Sequence, residues 1–315
     1  MSFLGELRRQ SRSLAGRAVT LLPIQGPTRP TFIVGCGRSG TTILGTALSQ
    51  HREVTYLHEP RDLWFRAYPE TDVWTEEATA RHGRLVLTST DVETSKSRKL
   101  RRLFALQTMK TGRAHLVEKL PANSFRLGFV TSIFPDARFI FIYRNGLEVA
   151  RSIQKHSDRG PWFGANGYKW RQLVQVAQER DDTAGLPALC ATSFDRGLLE
   201  WRLSTEATVD VLRELPDERV CEISYSDLTR TPRETVERAL SFLEIDNDEH
   251  VMHFVRDNIS RRTDDLSDAI PSDREQSIGG PLLSISMLKG NDRGLVQRFT
   301  EASERESRRP GWPRS

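Results

Sequence analysis

The feature that most constrains the fold is a glycine-rich loop between a strand pattern and a helix pattern. Residues 31–35 are Thr-Phe-Ile-Val-Gly, a short apolar run of β-forming residues that ends in glycine. The loop Gly-Cys-Gly-Arg-Ser-Gly-Thr-Thr spans residues 35–42, and residues 41–50 place apolar side chains at helical spacing. A strand, a glycine-rich loop and a helix in this order predict an α/β core.

The same loop predicts an anion site. Glycines let the backbone wrap around an anion, and the first amides of the following helix point at it with the helix dipole behind them. The spacing from Gly35 to Gly40 resembles a Walker A loop, but Thr41 stands where that motif has lysine. An ordinary ATP or GTP site is therefore disfavoured, and Arg38 supplies a cation inside the loop. A tight turn without a ligand is the alternative.

Four more strand patterns alternate with helix patterns along the chain. The strands are predicted at 54–57, 115–118, 138–143 and 219–224, and the helices at 41–50, 97–110, 124–134, 146–155, 194–215 and 232–243. Strands that alternate with helices predict a parallel sheet covered on both faces. We therefore expect a P-loop-like three-layer α/β fold, with a central parallel sheet flanked by helices.

A single domain accounts for this pattern. Residues 1–28 form a basic leader, and residues 29–260 carry the alternating strands and helices. Residues 261–315 lose clear periodicity and are rich in Asp, Arg, Ser and Gly. We expect this last stretch to be a loop or lid and a charged tail of the same domain.

Composition narrows the function classes. No apolar run approaches the roughly 20 residues of a membrane-spanning helix, so we expect no transmembrane segment. The leader lacks an apolar core and a cleavage site for export, which predicts a cytoplasmic location. The 46 basic residues are nearly balanced by 42 acidic ones, so the composition does not indicate a nucleic-acid-binding surface. Histidines and cysteines show no metal-ligand spacing, so no metal is expected.

The loop resembles a known motif. Gly37-Arg38-Ser39-Gly40-Thr41-Thr42 is similar to the 5′-phosphosulfate loop of sulfotransferases that use 3′-phosphoadenosine 5′-phosphosulfate (PAPS). The arginine-bearing form is that of tyrosylprotein, carbohydrate and several bacterial members, whereas cytosolic members usually carry lysine in place of Arg38. The resemblance implies that these six residues bind the sulfated end of PAPS.

A second likeness follows the strand at 138–143. Arg144 stands at the end of the strand and Ser152 lies eight residues later on a helix, as in the family's 3′-phosphate site. An arginine fork and a hydroxyl donor suit a phosphate. Asn145 replaces a more usual aspartate, which leaves this pair intact. Taken alone, the segment would be better explained by a solvent-facing arginine and a helix serine, but it accompanies the loop motif.

Two further segments resemble the family. Residues 118–123, Glu-Lys-Leu-Pro-Ala-Asn, are similar to a Glu-Lys-x-Pro segment, which implies that Lys119 contacts the acceptor or the sulfuryl oxygens. A surface lysine at a strand end is the alternative. Residues 225–228, Tyr-Ser-Asp-Leu, resemble a stretch that places Tyr225 close to the nucleotide, and a packing tyrosine is equally consistent.

Sulfuryl transfer also needs a base. Residues 54–61 return the chain to the carboxyl edge of the sheet and bring two adjacent candidates, His58 and Glu59. Glu59 matches the position of the catalytic glutamate in the tyrosylprotein-like branch and is favoured. His58 is the alternative because imidazole needs less tuning of its pKa. The two residues also fit an inert strand end, and Arg61 either steers Glu59 or faces water.

The sequence is thus identified as a member of the PAPS-dependent sulfotransferase family. This resemblance implies transfer of a sulfuryl group from PAPS to a hydroxyl or amine of a small-molecule or glycan acceptor, by in-line displacement and with Arg38 stabilising the transition state. A P-loop small-molecule kinase and a nucleotide-binding protein without catalysis are the alternatives. A kinase would need Mg²⁺ and a lysine in the loop.

Overall fold

The computed structural model describes residues 29–260, 269–287 and 294–307. Five parallel strands form one sheet in the order β2-β3-β1-β4-β5. Their bounds are β1 (Thr31–Val34), β2 (Val54–His58), β3 (His115–Lys119), β4 (Arg138–Tyr143) and β5 (Val220–Ser224). All five predicted strands are confirmed, with ends that differ by one residue at most.

Twelve α-helices lie within the described residues. They are α1 (Thr41–Ser49), α2 (Arg61–Ala67), α3 (Thr94–Thr111), α4 (Leu127–Ile133), α5 (Gly146–Ser157), α6 (Tyr168–Gln178), α7 (Ser193–Leu212), α8 (Tyr225–Arg230), α9 (Pro232–Phe242), α10 (Glu249–Asn258), α11 (Asp273–Met287) and α12 (Leu295–Ser307).

The sheet has a hydrophobic core on each face. Successive side chains of a strand point to opposite faces, so Phe32 joins a large cluster with Trp64 and Phe104 while Ile33 joins a smaller one with Leu44. The large cluster is covered by α2 to α5 and α7, and the smaller one by α1, α9 and α10. This confirms the predicted α/β fold with helices on both faces of a parallel sheet.

Helices after residue 260 were not expected. The stretch predicted as loop, lid and charged tail contains α11 and α12, and α11 packs against α7. Gly280 interrupts α11 with φ of 61° and Pro281 follows it, which breaks the apolar period that would have indicated a helix. The basic leader, residues 1–28, lies outside the described residues.

One predicted helix begins later than expected. The pattern at 124–134 gives α4 only from Leu127, because Pro121–Phe125 forms a 3₁₀ turn. This turn brings the hydroxyl of Ser124 to the amide of Gly35, whose N–H donates to it at 2.9 Å. The turn therefore supports the first residue of the glycine-rich loop.

Candidate active site

The glycine-rich loop leaves β1, the central strand, and two of its glycines are required by close contacts. A Cβ on Gly35 would lie 2.1 Å from the carbonyl oxygen of Ile142. A Cβ on Gly40 would lie 2.4 Å from the ring of Tyr225, and Gly40 has φ of 100°. Arg38 also has a positive φ, 75°, which turns the backbone within the loop.

The loop presents donors suited to an anion. Helix α1 begins directly after Gly40, and no side chain caps its first amides. The hydroxyl of Ser39 is buried and has no hydrogen-bond partner among the residues that the structure describes. Unsatisfied donors at a helix N-terminus, together with the cation of Arg38, fit a phosphate or sulfate group.

The second junction, between β4 and α5, lies beside this loop. The guanidinium of Arg144 donates through Nη1 to the carbonyl oxygen of Arg38 at 3.3 Å. Arg38 Nε in turn donates to Ser152 Oγ at 3.1 Å. The guanidinium carbon of Arg144 lies 4.2 Å from the centre of the Tyr225 ring. The structure therefore brings together the residues that sequence analysis had assigned to opposite ends of one nucleotide.

The β4–α5 junction is held by its own contacts. Asn145 caps α5, since its side-chain oxygen accepts from the amides of Leu147 at 2.9 Å and Glu148 at 3.4 Å. An aspartate would use the same oxygen, which explains why asparagine is accommodated. The indole of Trp201 on α7 donates to the carbonyl oxygen of Arg144 at 3.1 Å.

Glu59 lies at the end of β2, where the parallel pairing of His58 with Lys119 places β2 and β3 side by side. The ammonium of Lys119 donates to Glu59 Oε1 at 2.7 Å, and Arg61 Nη2 donates to Glu59 Oε2 at 2.6 Å. The Lys119 side chain is only 1% exposed, so it is a buried partner of the carboxylate and not a surface lysine. Arg61 pairs with Glu59 while its own side chain remains 40% exposed.

These charges decide the protonation of Glu59. Burial raises the pKa of its carboxyl, but the hydrogen bond and charge of Lys119, with Arg61 and His58, outweigh burial and hold the pKa below its ordinary value. Burial lowers the pKa of Lys119, and its bond to Glu59 opposes this. Glu59 is therefore an ionised carboxylate at neutral pH, able to accept a proton.

His58 is placed differently. Its side chain is exposed and lies 3.3 Å from the hydroxyl of Tyr56 through Nδ1. Burial lowers the pKa of the imidazole, and the charge of Lys119 adds to that effect. His58 does not belong to the cleft described next.

A cleft of about 410 Å³ joins the loop to Glu59. Of the predicted site residues, those that line it are Gly37, Arg38, Thr41, Thr42, Glu59 and Lys119. Five other predicted residues are grouped around Arg38 and do not line the cleft; they are Ser39, Gly40, Arg144, Ser152 and Tyr225. Burial raises the pKa of the Cys36 thiol, so this loop cysteine is a packing residue and no activated nucleophile.

The cleft also holds functional candidates to which sequence analysis assigned no role. Lys169 and Glu200 form a buried ion pair with Nζ and Oε1 2.6 Å apart. The indole Nε1 of Trp162 donates to the other oxygen of Glu200 at 2.9 Å. These residues come from three separate segments, and no motif spacing relates them. Only the aromatic and charged content of the segment after α5 could have indicated them.

The described residues contain no cluster of three or more His, Cys, Asp or Glu side chains that could hold a metal ion. None of the helices within the described ranges is both long enough and apolar enough to cross a membrane.

The sheet order, the loop after β1 and the anion-type donors define a P-loop-like α/β protein. The model of the sulfotransferase family matches residues 30–249, so the chain belongs to the sulfotransferase family and is a transferase by that membership. The resemblance found in the sequence is thereby confirmed.

Three known proteins are similar to the chain. The fold is shared with sulfotransferase STF9 from Mycobacterium avium, with a TM-score of 0.51, 16% identity, and coverage of 94% of this chain and 80% of that one. A protein-tyrosine sulfotransferase of Drosophila melanogaster is 23% identical over 70% of this chain, and an uncharacterized protein of Aquifex aeolicus (strain VF5) is 22% identical over 72%. The matches span 39% and 27% of those two relatives.

Proposed function

We propose that this chain transfers a sulfuryl group from PAPS to a hydroxyl, or an amine, of a small-molecule or glycan acceptor. One observation carries the proposal: Arg38 contacts Ser152 and Arg144 and also lines the cleft that contains Glu59. A nucleotide with phosphate groups at both its 5′ and 3′ positions needs two such junctions close together, and a carboxylate near one of them supplies a base.

The residues at the two junctions fit this donor. The loop amides, Ser39 and Arg38 would hold the 5′-phosphosulfate, because the Ser39 hydroxyl is buried with no partner in the described part of the chain. Arg144 and Ser152 would hold the 3′-phosphate through a guanidinium fork and a hydroxyl. Tyr225, packed at Gly40 and under Arg144, would lie against the nucleotide.

The chemistry assigned to this chain is proton transfer and charge stabilisation. PAPS supplies an activated sulfuryl group whose leaving group is a phosphate oxygen. The carboxylate of Glu59 takes the proton of the acceptor hydroxyl as the acceptor oxygen bonds to sulfur and the bond from sulfur to the phosphate oxygen breaks. Arg38 stabilises the charge that develops on the leaving oxygen, and Lys119 orients Glu59 and faces the sulfuryl oxygens.

Replacing the proposed base tests the mechanism. We expect Glu59→Gln to bind 3′-phosphoadenosine 5′-phosphate (PAP) with unchanged affinity and to lose transfer from labelled PAPS by about 10²- to 10⁴-fold, the usual contribution of general base catalysis. The matched control is Asp62→Asn, an exposed carboxylate in the first turn of α2. Full transfer by Glu59→Gln would exclude Glu59 as the base and would favour His58 in this role.

Calorimetry tests the donor. PAP without metal should bind at least about tenfold more tightly than ATP with Mg²⁺, because only PAP carries the 3′-phosphate that Arg144 and Ser152 contact. Arg144→Gln should remove most of this preference. Tighter binding of Mg²⁺-ATP would support the kinase alternative. Binding of PAP without transfer to any acceptor would support the non-catalytic one.

A further inference from the structure

Two indoles lie in one wall of the cleft. Trp74 belongs to the segment after α2 and Trp162 to the segment after α5, and both line the cleft. The amide of Ala165 donates to the carbonyl oxygen of Trp74 at 2.9 Å. The two segments are therefore hydrogen-bonded to each other, and their two indoles in the cleft lining are called here the indole wall (Trp74 and Trp162).

Each indole of this wall is fixed by a cation. The guanidinium carbon of Arg61 lies 4.2 Å from the ring centre of Trp74, and Lys169 Nζ lies 4.6 Å from that of Trp162. Trp162 is also tied to the buried carboxylate of Glu200. Burying the Lys169–Glu200 pair costs free energy, because both charges lose their hydration. We therefore interpret this pair as a device that holds the indole of Trp162 in place.

The indole wall lies next to the proposed sulfuryl site. A Cβ on Gly37 would lie 2.8 Å from the outer edge of the Trp162 ring. The wall is thus in van der Waals range of the loop, with Glu59 lining the same cleft. A flat ring placed against the wall would have its substituents within reach of both the loop and the base.

The charges of the cleft are unbalanced. Its lining contains five Lys or Arg side chains and two carboxylates, Glu59 and Glu200. Glu59 is paired with Lys119 and Arg61, and Glu200 with Lys169. Arg38 contacts Ser152 and is assigned to the donor. The remaining cation of the lining is Arg159, which is exposed and has no carboxylate partner among the described residues.

His156 does not add a second positive charge beside Arg159. It stands edge-on to Trp162, with ring centres 5.4 Å apart, and lines the same cleft. Burial lowers the pKa of its imidazole, and the positive charges of Arg38 and Arg159 lower it further, while Glu59 opposes them. The imidazole is therefore neutral at pH 7, and Arg159 is the charge at this side of the cleft.

We propose that the acceptor is a hydroxyl compound with a ring that presents an apolar face and carries an anionic substituent. Its ring packs on the indole wall, its anionic group pairs with Arg159, and its hydroxyl faces Glu59. The inference rests on the proposed function for the identity of the reaction, but the binding preference that it states is a property of the cleft alone. A phenol and a pyranose both provide a suitable ring, and the experiment separates them.

Matched ligand pairs test the inference on protein saturated with PAP. We would measure by calorimetry the binding of 4-hydroxybenzoate against 4-hydroxybenzamide, and of methyl β-D-glucuronide against methyl β-D-glucoside. In at least one pair the anionic member should bind about tenfold more tightly, the value of one charge-assisted contact. The pair that shows the preference identifies an aromatic or a sugar acceptor. Equal affinities within both pairs would overturn the inference.

Two variants localise the effect. Arg159→Gln should abolish the anionic preference and leave PAP affinity unchanged. Lys155→Gln, an exposed cation in the last turn of α5 and outside the cleft lining, should retain it. Trp162→Leu should weaken both members of a pair by the same factor, because it removes the ring surface and no charge. A preference that survives in Arg159→Gln would contradict the assignment to this arginine.

The two proposals can fail separately. If PAP does not bind, the titrations are repeated without it, and a persisting anionic preference would support the cleft inference while the sulfotransferase proposal fails. If PAP binds and Glu59→Gln abolishes transfer, but the pairs show no preference, only the acceptor inference fails.

Discussion

The buried carboxyl group of Glu118 connects the segment that carries Glu59 with the segment that supports the glycine-rich loop. The indole of Trp64 on α2 donates to its Oε1 at 2.8 Å, and the amide of Asn123 donates to both oxygens at 3.2 and 3.3 Å. Trp64 follows Glu59 in the chain, and Asn123 precedes the serine that supports Gly35. Burial raises the pKa of Glu118 to about 8, against the lowering effect of these donors and of Lys119.

The raised pKa of Glu118 predicts that the free energy of unfolding decreases with rising pH. Between the ordinary value of 4.5 and about 8, the folded protein keeps a proton that the unfolded chain releases, so the contribution of Glu118 to stability falls as pH rises. We expect Glu118→Gln to flatten this fall and to raise the free energy of unfolding at pH 8.5 by at least about 1 kcal/mol. Urea unfolding at pH 5.5 and 8.5 measures it, and the exposed Glu179→Gln is the control. Parallel pH profiles for Glu118→Gln and wild type would contradict it.

Glu59 titrates in the opposite direction. Its pKa is lowered, so this proposed base stays ionised, and transfer should decline only as the pH falls through a value below 4.5. Lys119→Met removes the main lowering cause and leaves burial, so the acidic limb of kcat/KM should move up by about one pH unit or more. The limb should not move in Lys110→Met, which changes an exposed lysine. An unmoved limb in Lys119→Met would show that another group carries the proton.

At the scale of elements, α7 organises the site. Three consecutive residues of this helix point in directions about 100° apart, since 3.6 residues complete a turn. Glu200 reaches the cleft, Trp201 the β4–α5 junction, and Arg202 the carbonyls of Ser277 and Ile278 on α11. Helix α11 is thereby anchored to the element that also supports the cleft and the second junction.

The arginine that contacts α11, Arg202, also forms a buried ion pair within α7, and this burial makes the pair costly to break. Arg202 Nε lies 2.9 Å from Glu206 Oε1, and the two side chains are 6% and 4% exposed. Arg202→Met should lower the free energy of unfolding by about 3–5 kcal/mol, because it leaves a buried carboxylate with less compensation. Arg233→Met breaks an exposed pair of the same i,i+4 spacing on α9 and should cost within about 1 kcal/mol. Equal losses by urea unfolding would refute this contrast.

At the scale of the whole molecule, parallel pairing brings the functional segments to one edge. The carboxyl ends of β1, β2, β4 and β5 lead to the glycine-rich loop, Glu59, Arg144 and Tyr225 respectively. With the order β2-β3-β1-β4-β5, Glu59, the proposed base, lies on one side of the central loop and the second junction on the other. Ligand sites of open α/β sheets form at this edge, on both sides of the strand where the order reverses.

The local pieces of this protein could be predicted from the sequence. The strand, loop and helix at 31–50 depend on contacts between near neighbours, and so does the interval from Arg144 to Ser152 along one helix. The alternation of strands and helices was enough to predict the sheet. Helix α11 could not be predicted because Gly280 and Pro281 break its period, whereas packing on α7 stabilises it.

The electrostatic state of the cleft was decided by the tertiary structure alone. Lys119 could as well have been a surface lysine, and only the register of β2 with β3 buries it against Glu59. Likewise Trp162 meets Glu200 across an interval of 38 residues. Such pairs have no fixed sequence spacing, because the distance between two side chains on different elements depends on how those elements pack. A sequence thus determines which groups are available, and the fold determines which charges are buried and paired.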